Sequence, residues 1–364
     1  MKRKLFSFAA LTALAFSAQA TVYTVSNVPN SIGQYTSIAA AMTAASAGDT
    51  IYVNPSNVSY NAVTINKPVV LIGAGAWPEG QSGQRSTVSS VSLTAAGNGA
   101  TFKGFEMTSL STTGTVNGFT FEFNRLTGTI FFGGVTNNIV IRNNMFSVGS
   151  TGMISGSSQC TNILISNNIF RNTAATGNIL TLSNTSNNGN LFSNNIIHST
   201  ATTGNPLRGA SFFTLINNIV HGGASTAAAD AIQNCNISHN LFFGNYTQAG
   251  VFHLSSNGAN NLFGNSFNPV FTEISAINNL WAYAPTAPFT DFSLPTNSPA
   301  IGSGTGGSDM GIYTGSSPWM DNPAGAERKY YPGVRIPEIY EFLSPGVAAP
   351  NSTMQVEIKA RNAN

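Results

Sequence analysis

An all-β fold, a parallel β-solenoid, is what this 364-residue sequence predicts, and three observations predict it. The first is a repeated phrase. NNIVIRNNMF, Asn137 to Phe146, returns as TNILISNNIF (Thr161 to Phe170), NGNLFSNNII (Asn188 to Ile197), SFFTLINNIV (Ser211 to Val220) and, more loosely, NCNISHNLFF (Asn234 to Phe243). The second is spacing. With the forerunner NGFTFEFNRL included, the anchors Asn124, Asn144, Asn168, Asn195, Asn218 and Asn240 stand 20, 24, 27, 23 and 22 residues apart, which suits one turn of a solenoid. The third is alternation: Ile139 and Ile141, Ile163 and Ile165, and Phe213 and Leu215 are two apart, the period of a strand with one face on a core.

Residues 1–20 read as a leader for export. Lys2, Arg3 and Lys4 precede an apolar run from Leu5 to Phe16, and Ala18-Gln19-Ala20 is a small-residue cleavage site. The run is too short to span a bilayer, and no later apolar stretch is as long, so no transmembrane segment is expected in the mature chain. Without the three leader cations, 12 Lys and Arg face 13 Asp and Glu, a net charge of −1. That balance argues against nucleic acid as a partner, because neutralising a phosphate backbone takes a basic patch. Only 8% of residues are charged and 42% are hydrophobic, the balance of an uncharged polar surface over a continuous core.

After the leader, Thr21 to Val25 reads as an edge strand and Ser37 to Ala47 as a short helix, with Thr36 to cap it and Gly48 to stop it. Ile38, Ala41, Met42 and Ala45 share one face, so the helix is suited to cover the open end of a solenoid core. The strand Thr50 to Val53 follows. Within each repeat Arg142, Ser166, Ser193 and Ser238 are expected to face water. The Asn pair marks a bend, because Asn tolerates the left-handed backbone, and stacked Asn side chains can bond amide to amide between coils about 4.8 Å apart. Phe146, Phe170, Ile197, Val220 and Phe242 then point inward, and a third, looser strand closes each coil, as at Ile179 to Leu182 and Val251 to Leu254. Lys103, Glu122 and Arg142 fall in one register and are expected to stack as an outward charge ladder. Cys160 and Cys235 lie three coils apart, too far for a disulfide, which needs Cα atoms within about 7 Å.

TSIAAAMTAASAGDTIYV followed by VTINKPVVLIGAGA resembles the opening of secreted right-handed parallel β-helix proteins of the pectin-lyase-like superfamily. The resemblance continues through ATFKGFEM and the Asn repeats to DFSLPTNSPAIGSGTGGSDMGIY, Asp291 to Tyr313, which is similar to the final coil of bacterial surface β-helix proteins. It implies a right-handed β-helix over residues 21–317 and says little about activity, since the fold serves lyases, hydrolases and adhesins. Residues 318–364 differ in composition, with 10 of the 25 charges of the mature chain, and read as a small β tail. There Ile336 to Phe342 and Met354 to Lys359 alternate as a strand pair.

Enzymes of this shape that cut acidic polysaccharides need clustered carboxylates, either as acid and base or as calcium ligands. This chain has no Asp or Glu between Glu122 and Asp230, which removes the carboxylate toolkits from the middle coils. No His and Cys spacing suits zinc, and no metal or cofactor is expected. Three residues beyond successive anchors stand Arg171, His198 and His221, a stripe able to bind an acidic sugar or to supply a general base. Three side chains of an ordinary polar surface would fall in the same column. Arg208, Asp230 and His253 form a second, looser group near the third strands, and Trp77, Trp281 and Tyr283 are candidate sugar-stacking rings. An ice-binding surface needs a Thr column repeating coil after coil, whereas Thr here clusters in stretches such as 201–203. The expectation is a non-catalytic, exported β-helix of the cell surface or extracellular space with polysaccharide as its possible partner. The alternative is a lyase acting on an acidic polysaccharide without a carboxylate-built calcium site.

Overall fold

The computed structural model describes residues 20–31, 33–75, 85–148, 152–172, 178–182, 184–186, 188–199, 205–225, 232–264, 294, 296–319, 337–343 and 357–362. It is a parallel β-helix built from a 12-stranded and a 13-stranded sheet. One coil shows the path. Strand Thr136–Arg142 lies in the first sheet, the chain bends, and Met145–Val148 and Ile154–Gly156 lie in the second. The chain then returns as Cys160–Ser166, which pairs in parallel with Thr136–Arg142 through Ile139↔Ile163 and Ile141↔Ile165. In the earlier strand Glu106–Thr113 the second and third segments run on without a break, so both belong to one sheet.

Alternation places the core as expected. Phe146, Phe170, Ile197, Val220 and Phe242 stack in one inward column; all are fully buried, and the Phe146 and Phe170 rings lie 4.6 Å apart. Opposite them, Phe121, Ile141, Ile165, Phe192 and Leu215 form the first sheet's inner column. Each such side chain contributes about 1.5–3 kcal/mol by leaving water.

The two residues of each Asn pair have different jobs. The first takes the left-handed conformation: φ is 53° at Asn143, 55° at Asn167, 56° at Asn194 and 57° at Asn217, with Phe123, His239 and Asn260 in the same column. The second turns into the interior and forms the ladder. The Asn168 Oδ1 accepts from the Asn144 backbone N at 2.9 Å and from its Nδ2 at 3.0 Å, while Asn144 Nδ2 also donates to Phe121 O. The pattern runs unbroken from Asn124 through Asn144, Asn168, Asn195, Asn218 and Asn240 to Asn261, one coil beyond the last repeat legible in the sequence. Because each amide is matched by the next Asn and by a backbone carbonyl of a neighbouring coil, Asn144 to Asn240 are buried with their donors and acceptors met.

At the start, Val22–Val25 pairs in parallel with Thr50–Val53. The helix is shorter than expected, Ile38–Ala44, and its cap is Ser37 rather than Thr36: the Ser37 side chain accepts from Ala40 N. Ile38, Ala41, Met42 and Ala45 are buried in the main core. The expected strand at Val251 to Leu254 is reduced to a single parallel bridge, Phe252 to Ile232, and is preceded by a helical turn, Gln248–Val251, capped by Thr247. The Thr247 hydroxyl accepts from Gly250 N and closes that turn locally, which shortens the strand that follows. Pro337–Leu343 and Glu357–Asn362 pair antiparallel, as the alternation predicts.

The segment expected as a final coil does something else. Described residues 296–319 contain no strand and form a strap across the outside of the second sheet. Met145, Ile169, Ile196, Ile219 and Leu241 point outward in one column and are buried under Ala300, Met310, Ile312 and Trp319. The left-handed Asn residues hold the strap. Asn143 Nδ2 donates to Ser317 O, Asn167 Nδ2 to Ile312 O and Thr314 O, and Asn194 Nδ2 to Gly311 O, while Asn217 Oδ1 accepts from Thr305 N. Ser166 and Ser193, expected in water, precede Asn167 and Asn194 and are buried beside them.

Candidate functional site

The stripe forms in the predicted register. Ser147, Arg171, His198, His221 and Phe243 are successive partners in the second sheet, each one residue past an inward core side chain and therefore on the outer face. The group is less exposed than its sequence suggests, since His221 is only 7% exposed. The His198 and His221 Nδ1 atoms lie 3.2 Å apart, and the His221 ring stacks on Phe243 with centroids 4.8 Å apart. Arg171 reaches the Ser147 hydroxyl through one guanidinium nitrogen at 3.4 Å.

That arrangement fixes the protonation. Burial, then the neighbouring His221 and Arg171, pushes His198 down to about 4. Burial alone pushes His221 down to about 4. Both rings are thus neutral at pH 7, and one Nδ1 donates while the other accepts. Burial also lowers Arg171 from its usual value. The column can therefore offer a neutral imidazole beside a guanidinium, but the two Nδ1 atoms are already engaged with each other.

The second group does not assemble in the same way. Arg208 Nε donates to Asn178 Oδ1 at 3.0 Å, and His253 Nδ1 bonds the Ser255 hydroxyl at 2.8 Å. Arg208 ties its coil to the preceding one, 30 residues back, whereas His253 holds a turn of its own coil. Asp230, Trp77, Trp281 and Tyr283 lie outside the described residues.

Charge is concentrated at the early bends. Glu122 bridges Arg142 at 2.7 Å and Lys103 at 3.7 Å, so the expected ladder forms, although its carboxylate is only 8% exposed. Glu106 likewise pairs with Arg85 and Arg125. These cations are committed to carboxylates. Among the described residues no group of three or more His, Cys, Asp or Glu is placed to hold a metal ion, and no helix is long and apolar enough to cross a membrane.

One surface went unread in the sequence. Thr64, Ser92, Ser111, Phe131, Ser155 and Thr181 are successive partners along the third strands. They alternate with the buried Val91, Leu93, Leu110, Ile130 and Ile154 and so point outward. Phe131 is 43% exposed in the middle of this hydroxyl row. The signal that would have found it is the Ser-x-Ser-x-Thr alternation of residues 90–94 and the matching Ser109, Ser111 and Thr113 one coil later.

The fold and these surfaces define the chain as a parallel β-helix. No family model, curated protein or solved structure matches it.

Proposed function

We propose that this chain is a secreted, non-catalytic β-helix, akin to the pectin-lyase-like superfamily, that binds a polysaccharide at the cell surface or outside the cell. The observation that carries the reading is the His198–His221 contact: the best-placed titratable groups of the middle coils lie against each other, His221 buried and His198 half-buried, with their Nδ1 atoms 3.2 Å apart. A general base must reach the proton it removes, and a group tied to its neighbour and stacked on Phe243 serves the fold first. Leader-like residues at the start of the sequence support export.

A lyase working without calcium is the second reading, favoured by two imidazoles that are neutral at pH 7 beside Arg171. Ultraviolet detection of unsaturated product from pectate, alginate and glycosaminoglycans, with and without calcium, separates the two. The expected result is no product in either condition. Calcium-independent product lost in His198→Ala would establish the lyase instead.

A further inference from the structure

We infer that the polysaccharide face is the outward row of the third strands, centred on Phe131, and that its ligand is an uncharged, extended chain. The inference rests on the binding role proposed above and gives it a place and a substrate class. Three observations combine. The row is regular: partners in adjacent coils lie about 4.8 Å apart, and outward neighbours on one strand, such as Ser90 and Ser92, about 6.6 Å apart. That lattice presents hydroxyls at close to the repeat of one sugar in an extended glycan. An aromatic ring stands in its centre, flanked by Ser111 and Ser155 in register.

A large hydrophobic ring at 43% exposure on an otherwise polar row gains from stacking on the apolar face of a pyranose, while the hydroxyls on either side donate and accept. Finally, the row carries no charge. The cations Lys103, Arg142, Arg85 and Arg125 sit at other positions, each paired with Glu122 or Glu106, and the two near the ends of the row are engaged elsewhere, Lys67 on the Thr43 and Ala45 carbonyls and Arg208 on Asn178. An acidic chain centred on Phe131 would lose hydration without meeting a cation there, whereas a neutral chain has no such cost. Charge complementarity therefore selects the neutral polymer.

The experiment uses the full mature chain in affinity electrophoresis and pull-down against soluble neutral glucans and mannans, insoluble cellulose and chitin, and acidic pectate and alginate. Retention by a neutral polymer is expected, weakened about tenfold or more in Phe131→Ala, as for truncation of a central aromatic anchor. Ser111→Arg and Ser155→Arg, at outward positions where the fold tolerates them, are expected to weaken it similarly, and Phe131→Trp to preserve it. Neutral-glycan binding unchanged in all three weakened candidates overturns the face and leaves the binding role standing. Retention by acidic polymers alone, lost in Arg171→Ala, overturns the face in favour of the histidine stripe. Ice shaping by the wild type, lost in the same variants, assigns the row to ice and overturns the glycan. No retention by any polymer and no ice shaping overturns the binding role along with the face.

Discussion

His198 and His221, 23 residues apart in sequence, meet across one coil spacing with their Nδ1 atoms 3.2 Å apart. The contact holds only while at least one of those nitrogens is unprotonated. Both folded-state values are depressed to about 4 from 6.5, so the unfolded chain binds more protons between those limits. The stabilisation is complete above about pH 6.5 and is lost as pH falls towards about 4, amounting to at most about 3 kcal/mol per ring. Thermal melts at pH 7 and 4.5 are expected to show a lower Tm at the acid pH. The gap is expected to shrink in His221→Phe, which extends the ring stack from Phe243 without a titrating group. An equal acid loss in that variant would place the sensitivity elsewhere.

The Asn ladder predicts a contrast between two asparagines of one repeat. Asn168 is fully buried, and its Oδ1 accepts both the backbone N and the Nδ2 of Asn144. Asn168→Ala leaves buried donors unmet, at about 1–3 kcal/mol each. Asn162 is exposed at the opposite bend but shares the left-handed backbone, with φ of 53°, so Asn162→Ala is expected to cost about 1 kcal/mol for that conformation alone, less than Asn168→Ala. Denaturant midpoints of the two variants compare them directly; equal losses would mean the ladder is not cooperative with the fold.

How much of this was legible follows from what each residue touches. The ladder and the Phe column could be read because both arise from one strand and one tight bend, where spacing inside the repeat never varies. The strap could not. Its partners Asn143, Asn167, Asn194 and Asn217 lie far from residues 305–317 in sequence, and no local periodicity marks a segment that adds no strand. The same Asn that signals the bend hides its second role. Likewise Ile169 and Ile196 sit next to inward residues and break strict alternation, a sign of a surface covered from outside. The stripe of Arg171, His198 and His221 was found in the right register but read as open to water, because burial by neighbouring rings is not written in spacing. The Phe131 row escaped because loops of uneven length separate the third strands.

Cys160 and Cys235 are both unpaired and buried, in agreement with the coil count. Burial raises each thiol to about 11, so little thiolate exists at neutral pH to react. The native protein is expected to resist a thiol-labelling reagent for hours at pH 8. Unfolding without reductant is expected to release two reactive thiols per chain. Fewer than two would contradict the register of the middle coils.

The strap yields the final prediction. Trp319 is 6% exposed; its ring joins the outer cluster with Met145, Ile169 and Ile196, and its Nε1 donates to Asn167 O. Truncating a large buried aromatic costs about 3–5 kcal/mol when its site cannot collapse. Here the vacated site opens to solvent, which places the loss at the lower end and exposes part of an apolar column that crosses five coils. Trp319→Ala is therefore expected to lower the thermal midpoint and to increase binding of a hydrophobic dye at temperatures below unfolding. Trp319→Phe keeps most of the apolar contact and loses the hydrogen bond, so it is expected to fall between the two. If Trp319→Ala bound no more dye than the parent and melted at the same temperature, the strap would contribute nothing to covering the outer column. The left-handed asparagines would then be holding a segment the solenoid does not need.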